Sequence, residues 1–260
     1  MPWGYDGTML DYPNLLKTWR KQRRFSQLSL ATEAEVSSRH ISFLETGRAS
    51  PSAAMIVHLC DVLDMPVDAR NQMLVAAGFA PRYARTPIDD ATMAPIHTAI
   101  ARMLDRHAPY PALVLDRHWN AIKLNCPAQV LFAPLGITEG GSFLDLVTNP
   151  AMPVLVENWA EVAHHTMLRL RAESLAAGGL PTLDAVAAQL ATVAQCSEPN
   201  LPAPTIPTVY RFGDERLSLF GTVTHFSTVN DETLADLKVE LFYPNDKATA
   251  AWFEENPGTS

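Results

Sequence analysis

The chain is poor in the features that mark a secreted, membrane-spanning or catalytic protein. Its 260 residues include only three cysteines, Cys60, Cys126 and Cys196, widely spaced, with no C-x-x-C pair and no histidine at ligand spacing. Neither a disulfide framework nor a zinc site is expected, and the thiols read as buried or idle. No apolar run approaches the ~18 residues that a bilayer-crossing helix needs. Met1 to Leu10 lacks the charged start and apolar stretch of a signal peptide. A cytoplasmic location with no membrane association is therefore expected. A G-x-S-x-G elbow, an H-E-x-x-H helix and a glycine-rich phosphate loop are also missing, so the chain is not read as an enzyme and no cofactor or metal is assigned. Haem or metal sensing through His118 or His225 stays open as a rival, although a lone histidine on a strand is more often structural.

What is present is an ordinary globular composition, 47% apolar and 18% charged, over a length that suits two compact domains. The net charge of -8 is unfavourable for a partner of nucleic acid until its distribution is read. Between Asn14 and Ser52 stand seven basic residues (Lys17, Arg20, Lys21, Arg23, Arg24, Arg39, Arg48) against three acidic ones (Glu33, Glu35, Glu45), a local balance of +4. An acidic body that repels DNA sharpens the orientation in which a basic end docks.

The first eighty residues carry five helical signals. Leu15, Leu16 and Trp19 give an inward face to a helix over 14–24, with the basic residues outside. Ser26 is positioned to cap a second helix over 27–34 that buries Leu28 and Ala31. Ser37 caps a third, with Ile41 and Leu44 inward and Gly47 as its stop. Ser50 and Pro51 open a fourth, and a fifth follows Pro66 and ends at Gly78. Two prolines and few apolar anchors over 80–90 place a boundary there. The expected division is a DNA-binding domain over 1–80, a linker over 81–95 and a second domain over 96–255.

Beyond the linker the period changes. After a helix over 92–105, runs at 112–116 and 119–124 read as a hairpin turning at Arg117-His118. The middle is helical, with a long helix over 152–175 and another over 183–194; a proline-rich connector over 199–207 leads to strands at 208–212, 216–229 and 238–243. The fold class is α+β: five N-terminal helices, then an antiparallel sheet with helices inserted between its second and third strands.

The stretch Gln27 to Gly47 has the spacing of two helices joined by a tight turn, an arrangement that lets the second helix lie in the major groove of double-stranded DNA. Leu28, Ala31, Val36, Ile41 and Leu44 form the shared core in this reading. The DNA-facing set is then Gln27, Ser37, Ser38, Arg39, His40, Ser42 and Arg48. Arg39 is the candidate for base readout, because a guanidinium can donate twice to O6 and N7 of guanine. Gln27 and Arg48 are placed for phosphates.

Gln27 to Pro51 resembles the lambda-repressor-like helix-turn-helix of the XRE type, and Val36 to Arg48 is similar to the version found in MmyB-like transcription regulators. The stretch from Tyr110 to Asn120, the pair Asn158-Trp159 and the stretch Glu240 to Pro244 resemble the ligand-binding half of that family. The resemblance implies a five-helix DNA-binding domain followed by a PAS-like sensor for small, largely apolar ligands, fatty acids foremost. One departure is Glu35, where the family turn usually carries glycine; a left-handed backbone there costs about 1 to 2 kcal/mol.

A sensor of this layout would hold its ligand between the sheet and the inserted helices, and the candidate lining is Trp119, Ile122, Leu131, Phe132, Trp159, Phe220 and Phe226, with Arg169 as an anchor for a carboxylate. Each is also what a plain core requires. The row Glu157, Glu161, His165, Arg169 and Glu173, at i+4 spacing, reads equally as a solvated helix face. The function expected is a transcription regulator that binds an operator, an inverted repeat, as a homodimer and senses a small apolar ligand. The alternative is an antitoxin-like protein whose second domain binds a protein partner.

Overall fold

A computed structural model describes residues 11–194, 205–226 and 230–258. The chain divides into two compact units. The first comprises, among the described residues, 11–85 together with 173–180 and 230–235. The second comprises 86–172, 181–194, 205–226 and 236–258. No helix among the described residues is long and apolar enough to cross a membrane.

Unit 1 is built on five helices: α1 Tyr12–Gln22, α2 Gln27–Glu33, α3 Ser38–Glu45, α4 Ala53–Val62 and α5 Val67–Ala76. Side-chain caps set four of their starts. Asp11 accepts the Asn14 N–H at 2.9 Å at the head of α1. At α2 the capping is reciprocal: Ser26 Oγ accepts the Ser29 N–H at 2.9 Å and Ser29 Oγ accepts the Ser26 N–H at 2.7 Å. Ser37 takes the His40 N–H at 3.1 Å at α3. At α4 the cap is Ser52, accepting from Met55, and not Ser50; the Ser50-Pro51 pair lies before the helix. Leu16, Leu30, Ile41, Leu44, Ile56 and Leu59 are fully enclosed between these helices.

Residues 173–180 belong to this unit through α1. Gln22 Nε2 donates to the Gly178 carbonyl at 2.6 Å, and Arg23 donates to the carbonyls of Leu63, Asp64 and Ala176. Gly178 has φ +87, and a Cβ on it would overlap the Trp19 indole. Residues 230–235 join through Asn71, whose amide donates to Tyr83 O at 2.8 Å and to Glu232 Oε1 at 2.6 Å.

Unit 2 is organised by a five-stranded antiparallel sheet of β1 Ala112–Leu115, β2 Ala121–Leu124, β3 Thr208–Phe212, β4 Glu215–His225 and β5 Lys238–Pro244, in the order β2-β1-β5-β4-β3. Between β2 and β3 run α7 Cys126–Phe132, α8 Phe143–Val147, α9 Met152–Leu155, α10 Trp159–Ala176 and α11 Pro181–Ala194. Ahead of β1 stands α6 Ala94–His107; α12 Glu232–Asp236 precedes β5 and α13 Lys247–Glu255 follows it. The expected architecture, an α+β chain with helices inserted between the second and third strands, is the observed one.

Cross-strand register sorts side chains onto two faces. Leu113 opposes Glu240 and Leu115 opposes Lys238, whereas Val114 opposes both Val239 and Lys123 on the reverse side. On the first face Phe132 meets Phe143, Tyr210 and Phe242 with ring centroids 5.2, 6.3 and 5.6 Å apart. On the reverse face His107 of α6 packs edge-on against Tyr243 at 4.8 Å. Buried Asn125 ties three elements: its Oδ1 accepts the N–H groups of Ala112 and Ala128, and its amide donates to Leu104 and Tyr110 carbonyls.

Three expected elements differ. The β1–β2 turn extends over 116–120, because Asp116 Oδ1 accepts the N–H groups of His118 and Asn120, so Trp119 lies in the turn at φ +65 and not in the strand. The long helix expected over 152–175 is broken into α9 and α10. Asn158 at the break is tied to β3, donating to Pro207 O and accepting from Val209 N. The strand expected over 216–229 is observed as Glu215–His225; Val229 lies outside the described residues.

Candidate nucleic-acid interface and ligand site

The recognition segment of unit 1 rests on a buried polar network. Arg20 Nε and Nη2 donate to the two Glu45 oxygens at 2.5 and 2.9 Å, and Arg20 Nη1 donates to Phe25 O at 2.8 Å. Gln27 Nε2 completes it at 2.8 Å from Glu45 Oε2. The side chains of Arg20 and Glu45 are 10% and 2% exposed. Burial pushes the Glu45 carboxyl upward, but the donations from Arg20 and Gln27 outweigh it and hold the group below the usual carboxylate range. A bidentate pair of this kind clamps the end of α3 to α1 and to the start of α2.

This corrects two readings. Arg20 was expected outside with the other basic residues, yet it is buried because its partner Glu45, 25 residues away, neutralises it. Leu28 was expected in the core and is 67% exposed, while Leu30 is enclosed. In a helix as short as α2 either leucine can satisfy the spacing, and the structure chooses Leu30.

The network leaves a polar outer surface on α3. Ser37, Ser38, Arg39 and Arg48 are exposed; Gln27, His40 and Ser42 are half-buried. The Arg39 guanidinium lies over the Phe43 ring, 5.0 Å from its centroid, a position that limits its rotamers, and the residue is exposed. Ser37 Oγ is used as an acceptor in the cap, and the Gln27 amide nitrogen is used on Glu45, which leaves the Gln27 Oε1 and backbone N–H for other partners. Glu35 in the turn between the helices has φ +51, the left-handed conformation that glycine adopts at lower cost. Cys60 is enclosed nearby, and burial pushes its thiol up to about 12, so it is no reactive thiolate.

In unit 2 the expected pocket residues are not brought to one place. Leu131, Phe132 and Trp159 are buried in the core. Phe220 stacks on Tyr243 at 5.6 Å on the reverse face of the sheet from Phe132, and Phe226 is half-buried beyond the end of β4. Ile122 lines a cleft beside α6. Trp119 and Arg169 do meet: Arg169 Cζ lies 4.6 Å and Lys238 Nζ 4.3 Å from the indole centroid. Arg169 also pairs with Glu240. Burial pushes the Tyr210 hydroxyl up, and the Glu240 charge adds to it. The i+4 charge row on α10 is not uniform: Glu157 precedes the helix and pairs with Arg216, His165 is exposed, and Arg169 turns onto Trp119.

Lys238 and Glu240 were missed by sequence reasoning. Their signal was available, since a strand written Lys-Val-Glu-Leu-Phe puts two charges on the same face as Phe242.

Residues 96–255 match the family model of the MmyB-like transcription regulator ligand binding domain. The chain belongs to the MmyB-like transcription regulators. Residues 14–73 match the model of a helix-turn-helix domain, so the regulator joins a DNA-binding half to a ligand-sensing half. No curated protein sequence matches it. The Arg20–Glu45 network lies inside the helix-turn-helix match, and the Trp119 cluster lies inside the ligand-binding match.

Proposed function

We propose that the regulator binds an operator as a homodimer through α3 and that a small, largely apolar ligand in its C-terminal domain alters that binding. The observation that carries the DNA half is the exposed Arg39, lying over the Phe43 ring, on a helix whose end is fixed by the Arg20–Glu45–Gln27 network. Arg39 reads a guanine edge, Ser38 and Ser42 assist, His40 adds a contact, and Gln27, Ser37 and Arg48 hold phosphates. The domain division that goes with this reading is 1–80, a linker over 81–95, and 96–255.

A two-fold dimer reads an inverted repeat whose half-sites lie about one helical turn apart, roughly 34 Å. The ligand acts by binding the two arrangements of the dimer with unequal affinity, since equal affinity would shift nothing. Fatty acids are the first class to examine, with Arg169, which lies on the Trp119 indole beside Lys238 and pairs with Glu240, as the anchor that would exchange that partner for the ligand's carboxylate.

The test is organic extraction of the freshly purified chain with mass spectrometry of what is released, followed by DNA-binding titrations with and without that compound on sequences selected from a random duplex pool. A stoichiometric apolar acid that changes operator affinity supports the reading. Selected sequences with a single unpaired half-site, or a second polypeptide that co-purifies in place of a small molecule, contradict it.

A further inference from the structure

Unit 2 contains a cleft of about 340 Å³ on the reverse face of the sheet from the Trp119 cluster. Its walls are aliphatic: Ile88, Ile100, Val114 and Ile122. They come from four parts of the chain. Ile88 lies in the segment that leads from unit 1 into α6, Ile100 on α6, Val114 on β1 and Ile122 on β2. The size is at the small end of the ~300 to 1,000 Å³ typical of ligand sites.

The charged groups at this cleft differ from those around Trp119. Asp89 and Glu139 supply two carboxylates, against the single ammonium of Lys123, with His97 beside them. None of the four is held in an ion pair among the described residues. Glu139 accepts only a long hydrogen bond, 3.4 Å, from the Leu124 N–H. Two carboxylates against one ammonium give the rim an excess of carboxylate over an apolar floor. An aliphatic chain ending in an ammonium group matches both parts, whereas a chain ending in a carboxylate meets an excess of like charge.

We propose that this cleft is a second recognition site, specific for a small apolar amine, and that its occupancy is reported through Ile88 and Asp89. These two residues begin three positions after Arg85, where the first unit's main segment ends. A ligand touching them orders the chain that leads back to the DNA-binding half without needing any change in the Trp119 cluster. The inference is independent of which compound occupies that cluster, because the two sites lie on opposite faces of the sheet.

The experiment is calorimetric titration of the full chain at neutral pH with octylamine, octanoate and octanol, backed by hydrogen exchange over 86–93. Octylamine is expected to bind saturably at one site, at least tenfold more tightly than octanoate, and to slow exchange in 86–93. The double variant Asp89→Asn with Glu139→Gln should bring the two affinities to within threefold. Ile88→Trp, which places bulk on a half-buried wall of the cleft and leaves the sheet untouched, should abolish octylamine binding. Octanoate binding as tightly as octylamine, no saturable binding by any probe, or octylamine binding indifferent to Ile88→Trp would overturn the proposal. DNA binding and the extracted ligand are measured separately, so either proposal can fail while the other stands.

Discussion

Both units hold an arginine against a glutamate, and the two pairs are built to different ends. Arg20 and Glu45 meet through two hydrogen bonds, with Gln27 and the Phe25 carbonyl taking further positions, and their side chains are 10% and 2% exposed. Arg169 and Glu240 pair at 31% and 10% exposure, on an indole that also carries Lys238. The first is a closed network with one carboxylate for one guanidinium. The second sets the Arg169 guanidinium and the Lys238 ammonium on one indole, with Glu240 paired to Arg169. A closed, enclosed network fixes a backbone; a pair whose arginine is 31% exposed constrains its surroundings less. The difference teaches that the same residue pair is an enclosed clamp on α3 in one unit and a more exposed pair beside an indole in the other.

The contrast breaks most visibly at Glu45. Glu45→Ala leaves Arg20 enclosed without its counter-charge and should destabilise unit 1 by about 3 to 5 kcal/mol, read as a lower urea midpoint for its transition. Glu240→Gln removes a charge from the more exposed pair and should cost less than half as much. Equal losses would remove the distinction between the two pairs. The pH dependence sharpens it. Because the Glu45 carboxyl is held below its ordinary value, its contribution is present above the unfolded value of about 4.3 and is lost as pH falls through the lower folded value. Unit 1 should therefore lose stability in acid, and Glu45→Gln should flatten that part of the profile.

Gly178 tests the fit of 173–180 against α1. Its positive φ and the Trp19 indole standing where a Cβ would go mean that Gly178→Ala should cost unit 1 about 2 kcal/mol or more, through left-handed strain and overpacking together. A thermal midpoint unchanged from the parent would mean that the segment contributes nothing to the unit.

Much of unit 1 was legible because its signals are local. Ser37 and Gly47 bracket α3 within a few residues of the backbone groups they satisfy, and that is sequence-near chemistry. What was illegible depended on distance along the chain. Arg20 looks like any surface arginine until Glu45 is folded against it, and Leu28 looks like Leu30 until neighbouring helices choose between them. Ser50 and Ser52 flank one proline and either fits a cap, so local pattern alone favoured the wrong one. In unit 2 most strands and inserted helices followed from periodicity, but the break at Asn158 and the turn at Trp119 did not, and neither did the site. Aromatic residues that share a pattern were divided by the pleat between two faces, as Phe132 and Phe220 show, and the cleft is assembled from four separate segments.

The smallest expected effect concerns the turn ahead of α3. Glu35→Gly relieves a left-handed non-glycine residue at some cost in unfolded-chain entropy, so a net gain of about 0.5 to 1 kcal/mol is expected, or a few degrees in Tm. A loss of stability would show that the Glu35 side chain contributes more than its backbone costs.

The most direct test of the account is the sequence preference of Arg39→Ala, compared with the parent on duplexes selected from a random pool and on variants of each selected position. The expected result is an unchanged thermal midpoint and a loss of discrimination of about 1 to 3 kcal/mol at one guanine of each half-site, with other positions read as before. A variant that keeps full discrimination at every position, or that weakens binding uniformly across sequences, would contradict base readout by α3.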